Sequence, residues 1–178
     1  GISMPHLSIN ISMRQFLHNG FVDTVKRLID LYMDRALCNR LTFEVTESIV
    51  AEDINNVILR MNELKALGIH FSMDDFGTGY SSLSHVKRLP ISEIKIDQSF
   101  VAEIGRQEGD KAMIKTILSM ARMFNFSVVA EGVETAGQFD FLAANGCTIF
   151  QGFYFATPLS KEAFEQFYFA DSKQPAAA

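Results

Sequence analysis

Six short stretches of the chain read as strands, and in most of them every second residue is apolar: 7–12, 41–47, 70–75, 93–97, 127–133 and 149–155. Between them the apolar period changes to that of a helix. Ile54, Val57, Ile58, Met61 and Leu64 recur at i, i+3 and i+4 within 53–67, and Gly68 suits the stop. Phe21, Val25, Leu28, Ile29 and Tyr32 predict a helix over 21–37, and Ile114, Ile117, Leu118 and Ala121 predict another over 110–124. Thr135 with Gln138 forms a capping-box pattern that opens a further helix, which Gly146 ends. Ser160 can cap a last helix bearing Phe164 and Phe167. Strands alternating with helices predict a parallel α/β domain over residues 1–170, with a disordered tail at 171–178.

Splitting each strand by its period of two sharpens the fold. Leu7, Ile9 and Ile11 share a face opposite Ser8, Asn10 and Ser12. Phe43 and Val45 oppose Thr42, Glu44 and Thr46, and Phe71 and Met73 oppose Ser72 and Asp74. Ile94 and Ile96 oppose Glu93, Lys95 and Asp97, while Val128 and Ala130 oppose Ser127, Val129 and Glu131. A parallel sheet covered on both sides by helices is apolar on both faces. A barrel satisfies the pattern, with its apolar face under the helices and its polar face inward. Barrel sites lie at the C-terminal ends of strands. Asn10, Glu44, Asp74, Lys95, Glu131 and Gln151 all fall at or near such ends. Taken singly, each could be a strand-end residue facing water.

Composition narrows the chemistry. The net charge is −5 and no Lys/Arg run occurs, which argues against a DNA- or RNA-polymer surface. No apolar stretch reaches the roughly 20 residues of a membrane helix, so a cytoplasmic location is expected. Cys38 and Cys147 stand far apart and read as buried thiols. Carboxylates and an amide are ligands for hard cations such as Mg²⁺. The histidines show no zinc spacing. Two metal ions would explain the adjacent acids Asp74 and Asp75, because their charge turns mutual repulsion into shared attraction. Strand alternation points only one of the two inward, so Asp75 is expected where the strand gives way to the loop. Lys95 in such a cluster can hold an attacking water, which suits metal-assisted phosphoester hydrolysis. Gly77 and Gly79 permit a mobile loop beside the acids, and Phe76 and Tyr80 suit packing and recognition equally.

The strings "SINIS", "FEVTES", "DDFGTGYSSL", "EIKID", "AEGVE" and "QGFYFATP" occur in that order along nearly the whole chain. Together they resemble the EAL domain, the bacterial phosphodiesterase module for cyclic di-GMP. The resemblance implies a TIM-like (β/α) barrel of the EAL type, incomplete, with about six of eight strands present. It implies that Asn10, Glu44, Asp74 and Glu131 bind metal, with Asp75 serving a second ion or the water. Lys95 would contact a water held by metal, and Gln151 would order that water or the substrate. Catalysis would rest on Lys95, Asp75, Glu131 and Gln151. Glu47 would anchor the loop 76–82 (Phe76, Gly77, Thr78 and Gly79 within it), which in the family couples dimerisation to metal binding. Glu134 would support the substrate. Cyclic di-GMP would be cut to linear pGpG with two Mg²⁺ or Mn²⁺ ions, and Ca²⁺ would inhibit.

The family's Glu-Ala-Leu motif, with its ligand glutamate and a nearby substrate-binding arginine, is absent here. A truncated piece with reduced or no activity is therefore expected. The rival expectation is an inactive EAL module that serves as a cyclic di-GMP receptor or a protein-interaction domain. Exposed sheet edges favour a homodimer or larger assembly. An upstream sensor or cyclase domain in the parent protein is also expected.

Overall fold

The computed structural model describes residues 5–51, 53–79, 83–105 and 108–171. Its six strands are β1 (Leu7–Asn10), β2 (Leu41–Thr46), β3 (His70–Phe76), β4 (Glu93–Ile96), β5 (Ser127–Ala130) and β6 (Ile149–Phe150). They pair in sequence order, each neighbour parallel, as one open sheet. Lys95 on β4 bonds Glu44 on β2 at 2.8 Å, although β3 lies between the two strands. Two strand spacings amount to about 9.5 Å on a flat sheet, so a long side chain on a concave face is needed to close that gap. The fold is the predicted TIM-like barrel in incomplete form, with six strands curled and helices outside.

The alternation read from the sequence matches the burial of the central strands. Phe43, Val45, Phe71, Met73, Ile94 and Ile96 are buried on the helix side. Phe71 meets Phe43 edge-on at 6.0 Å and Phe16 at 6.2 Å, an aromatic nucleus under the helices. Truncating a ring buried this way costs about 3–5 kcal/mol, so Phe71→Ala would strongly destabilise this face. Helix α2 (Phe21–Tyr32) and helix α3 (Ile54–Lys65) cover it, and Asp53 caps α3 by accepting from Asn55 N and Asn56 N.

Several boundaries differ from the sequence reading. β1 ends at Asn10 because Ser12 caps a short helix, α1 (Met13–Leu17), through a capping box with Gln15. Leu7 and Ile9 are 48% and 37% exposed rather than covered, since β1 is an edge strand that pairs with β2 on one side. Helix α2 stops at Tyr32, not residue 37. Asp34 accepts from Ala36 N and starts a 3-10 turn over Arg35–Arg40. Leu28 and Tyr32 are consequently exposed, and Val22 and Ile29 carry the buried face. β5 and β6 are shorter than 127–133 and 149–155, because glycines follow both: Gly132 takes φ +66°, and Gly152 packs against the backbone of Val133.

The remaining helices are α4 (Leu83–Val86), α5 (Gln98–Ala102), α6 (Glu108–Phe124), α7 (Ala136–Ala144) and α8 (Lys161–Asp171). Ser160 Oγ accepts from Ala163 N at the start of α8, as predicted, but Phe164 and Phe167 are exposed. Asp171 closes α8 instead of opening a tail, and 172–178 lie outside the described residues. Cys38 and Cys147 are free and buried, and burial pushes both thiols up. No helix among the described residues is long and apolar enough to cross a membrane.

Candidate active site

Parallel register steps the inward residues along the concave face from strand to strand. Asn10 on β1 lies opposite Glu44 on β2, and Thr46 on β2 opposite Asp74 on β3. Lys95 follows on β4, and Glu131 comes directly after β5. Their side chains converge on one point. Lys95 Nζ donates to Glu44 Oε2 at 2.8 Å and to Glu131 Oε1 at 2.7 Å, and lies 3.4 Å from Asp74 Oδ1. The lysine and Glu44 side chains are 5% and 6% exposed, so this is a buried ion cluster. Ser72 Oγ, on the same face and in register with Glu44, is also buried, without a hydrogen-bond partner among the described residues.

Charges buried this deeply persist only when paired. Burial by itself would lower the Lys95 pKa. Its hydrogen bonds to Glu131 and Glu44 outweigh burial and raise it, so the group stays an ammonium. Burial pushes the Glu131 carboxyl up, Lys95 opposes that shift, and the charges of Asp74 and Glu44 add to it.

The Asp74–Asp75 pair is resolved differently from the sequence expectation. Asp75 lies inside β3, not beyond its end, in a register shift between Met73 and Phe76. Its φ of +54° is left-handed, a conformation L-residues adopt at a cost. The irregularity breaks the period of two, so the second acid is not forced onto the outer face. Burial pushes the Asp75 carboxyl up, and Asp74 and Asp97 add to the shift. Asp97, whose side chain also accepts from Ser99 N to cap α5, is a neighbour that sequence reasoning placed on the polar face but not in the site.

The loop after β3 is tethered. Glu47 opens a 3-10 turn after β2, is buried, and accepts from both Gly77 N at 3.0 Å and Gly79 N at 3.1 Å through Oε2. A Cβ on Gly79 would stand 2.9 Å from Glu47 Oε1, so a side chain there would push the tethering carboxylate aside. Thr78 Oγ1 donates to Asp75 O at 2.8 Å. Phe76 is buried and packs in the core, while Tyr80 lies outside the described residues.

Beside the cluster opens a cavity of about 450 Å³, and Gln98, Glu131, Glu134, Gln151 and Phe153 are among its lining residues. Glu131 therefore faces both the lysine and the cavity. Gln151 and Glu134 belong to the cavity wall. Gln98, at the start of α5, was not singled out from the sequence.

The donor set suits a hard divalent cation. The Asn10 amide lies against Glu44 Oε2 and Asp74 Oδ2, and in the orientation that satisfies both ends of the amide its nitrogen donates to each at 3.3 Å. Among the described residues no group of three or more His, Cys, Asp or Glu side chains is arranged to hold a metal ion. The Lys95 ammonium takes up Glu44 and Glu131, so a cation would have to draw these acids and the Asn10 amide oxygen away from their present partners.

A family model described as the EAL domain matches residues 2–158. MucR of Pseudomonas aeruginosa, described as a bifunctional diguanylate cyclase/cyclic di-GMP phosphodiesterase, is 41% identical over 157 residues, which is 88% of this chain and 23% of MucR. The chain spans about a sixth to a quarter of the length of the curated relatives it matches. Among solved structures, the EAL domain of Mycobacterium smegmatis DcpA superposes with a TM-score of 0.85 at 36% identity, covering 94% of this chain and 74% of that one. BlrP1 of Klebsiella pneumoniae, solved with manganese and cyclic di-GMP, gives 0.75 at 29% identity, covering 86% and 39%. The family match spans the strands that carry Asn10, Glu44, Asp74 and Lys95 and the turn that carries Glu131, and the chain belongs to the EAL domain family.

Proposed function

We propose that this chain belongs to a metal-dependent phosphodiesterase that hydrolyses cyclic di-GMP to linear pGpG in bacterial second-messenger signalling. The observation that carries this reading is the convergence of Glu44, Asp74 and Glu131 on Lys95 beside a cavity that Glu131 shares. Two Mg²⁺ or Mn²⁺ ions would supply Lewis acidity toward the phosphodiester and lower the pKa of water. Asn10, Glu44, Asp74 and Glu131 would hold metal, and Asp75 would serve the second ion or the water.

In the reaction a water oxygen bonds to phosphorus, the P–O3′ bond breaks, and the leaving 3′ oxygen takes a proton from bulk water. Glu131, between Lys95 and the cavity, would accept the proton of the attacking water. Lys95, held as an ammonium, would orient that water and offset the charge growing on the phosphoryl oxygens. Gln151 would align the water or the phosphate, and Glu134 would support the substrate. Glu47, through Gly77 and Gly79, would hold the loop that reports on a second subunit of a homodimer. An upstream sensor or cyclase domain would set the activity, and the module would work in the cytoplasm.

A receptor that binds cyclic di-GMP without opening it is the second reading, favoured by the lysine that already neutralises part of the acid cluster. Chromatography of cyclic di-GMP incubated with the chain and Mn²⁺ separates the two. Appearance of pGpG that is lost in Glu44→Gln supports hydrolysis. Retention of intact ligand by the protein supports the receptor, and neither binding nor product would sink both.

A further inference from the structure

Five polar or charged residues are buried among those described: Glu44, Glu47, Ser72, Lys95 and Gln138. Four belong to the acid cluster, its inner face or its loop tether. Gln138, 8% exposed on α7, remains. Its own N–H donates to Thr135 Oγ1 at 3.3 Å, and its Oε1 accepts from Thr135 N at 2.9 Å, which is a capping box. Two further bonds exceed what a cap needs. Oε1 also accepts from Glu134 N at 2.8 Å, and Nε2 donates to Val101 O on α5 at 3.2 Å. Both partners of Oε1 are N–H groups and the partner of Nε2 is a carbonyl, so the amide has one consistent orientation.

These bonds join two walls of the cavity. One wall is the turn from Glu131 to Glu134, and the other is α5, whose first residue is Gln98. The two touch directly as well: a Cβ on Gly132 would stand 2.6 Å from Gln98 Cβ. We infer that Gln138 is a positioning residue of the cavity, one that ties Glu134 N to Val101 O and so fixes the Glu131–Glu134 turn against α5. The consequence for ligand binding rests on the cyclic di-GMP reading above, whereas the tie itself does not.

Two variants separate the tie from the cap. Gln138→Glu keeps an acceptor for Thr135 N and Glu134 N but loses the donor to Val101 O. Thr135→Ala removes the hydroxyl that caps Gln138 N and leaves the tie intact. Hydrogen exchange on the 178-residue chain should show faster exchange in α5 and residues 131–134 for Gln138→Glu, and faster exchange only at the start of α7 for Thr135→Ala. Cyclic di-GMP affinity, measured by calorimetry with Ca²⁺ to prevent turnover, should fall on the order of tenfold in Gln138→Glu and stay near wild type in Thr135→Ala. Gln138→Met should lose the tie and the side-chain half of the capping box without adding charge, while Gln138 N keeps its bond to Thr135 Oγ1. Equal effects of Gln138→Glu and Thr135→Ala, or wild-type exchange in α5 for Gln138→Glu, would overturn the inference. If wild type itself does not bind cyclic di-GMP, the function reading falls, and the exchange measurement still decides the tie.

Discussion

Replacing Lys95 with methionine keeps most of the side-chain volume and removes the positive charge at the centre of the cluster. Glu44 and Glu131 then lose charge-assisted bonds of 2.8 and 2.7 Å, and Asp74 loses an ion pair at 3.4 Å. Breaking a buried pair from one side costs about 3–5 kcal/mol, because the partner stays buried and uncompensated. At about 2–4 °C per kcal/mol for a chain of this size, the melting temperature in EDTA should fall by ~6–20 °C. Added Mn²⁺ should raise the melting temperature of Lys95→Met more than that of wild type, since the variant presents the same acids without a competing ammonium. Thermal melts of both proteins with EDTA and with Mn²⁺ measure each term. A variant that melts within ~2 °C of wild type in EDTA, less than about 1 kcal/mol, would refute the view that Lys95 holds these acids together.

Other changes probe separate parts. Glu47→Gln should loosen the loop by weakening both glycine bonds, at about 1–3 kcal/mol, and should show as faster proteolysis near 77–79. Gly152→Ala should cost about 1–3 kcal/mol in denaturant melts through backbone strain, because its Cβ would fall 2.1 Å from Val133 O. Asp75, with its carboxyl pushed up in the fold, contributes stability that is full below its unfolded pKa of about 3.9 and is lost as pH rises through its higher folded value. Asp75→Asn should therefore gain stability over wild type at neutral pH, and the gain should shrink toward pH 3 in urea titrations.

The central strands were legible because a period of two is enforced wherever one face meets helices. Phe43, Val45, Ile94 and Ile96 obeyed it, and their polar neighbours Glu44 and Lys95 met inside. Edge strands were less legible. Alternation in Leu7 and Ile9 says which residues share a face, not whether anything covers that face. The aromatic run 149–155 looked extended because aromatics favour strands, yet Gly152 ends the pairing after Phe150. The shift at Asp75 left no periodic signal, since one extra residue changes parity only beyond itself. Gln138 was recognised as a cap, but its bond to Val101 spans 37 residues of sequence, beyond the reach of local pattern. Asp97 and Gln98 are not legible as site neighbours for the same reason: their partners Asp75 and Gly132 come from β3 and from the turn after β5.

In the proposed function the inward acids form a divalent-cation site. Titration of Mn²⁺ into wild type, Glu44→Gln and Asp74→Asn, followed by the electron paramagnetic resonance of free Mn²⁺, tests it most directly. Saturable binding by wild type that weakens on the order of tenfold or more in both variants is the expected result. Unchanged Mn²⁺ affinity in both variants would contradict the account and leave Glu44 and Asp74 as partners of Lys95 alone.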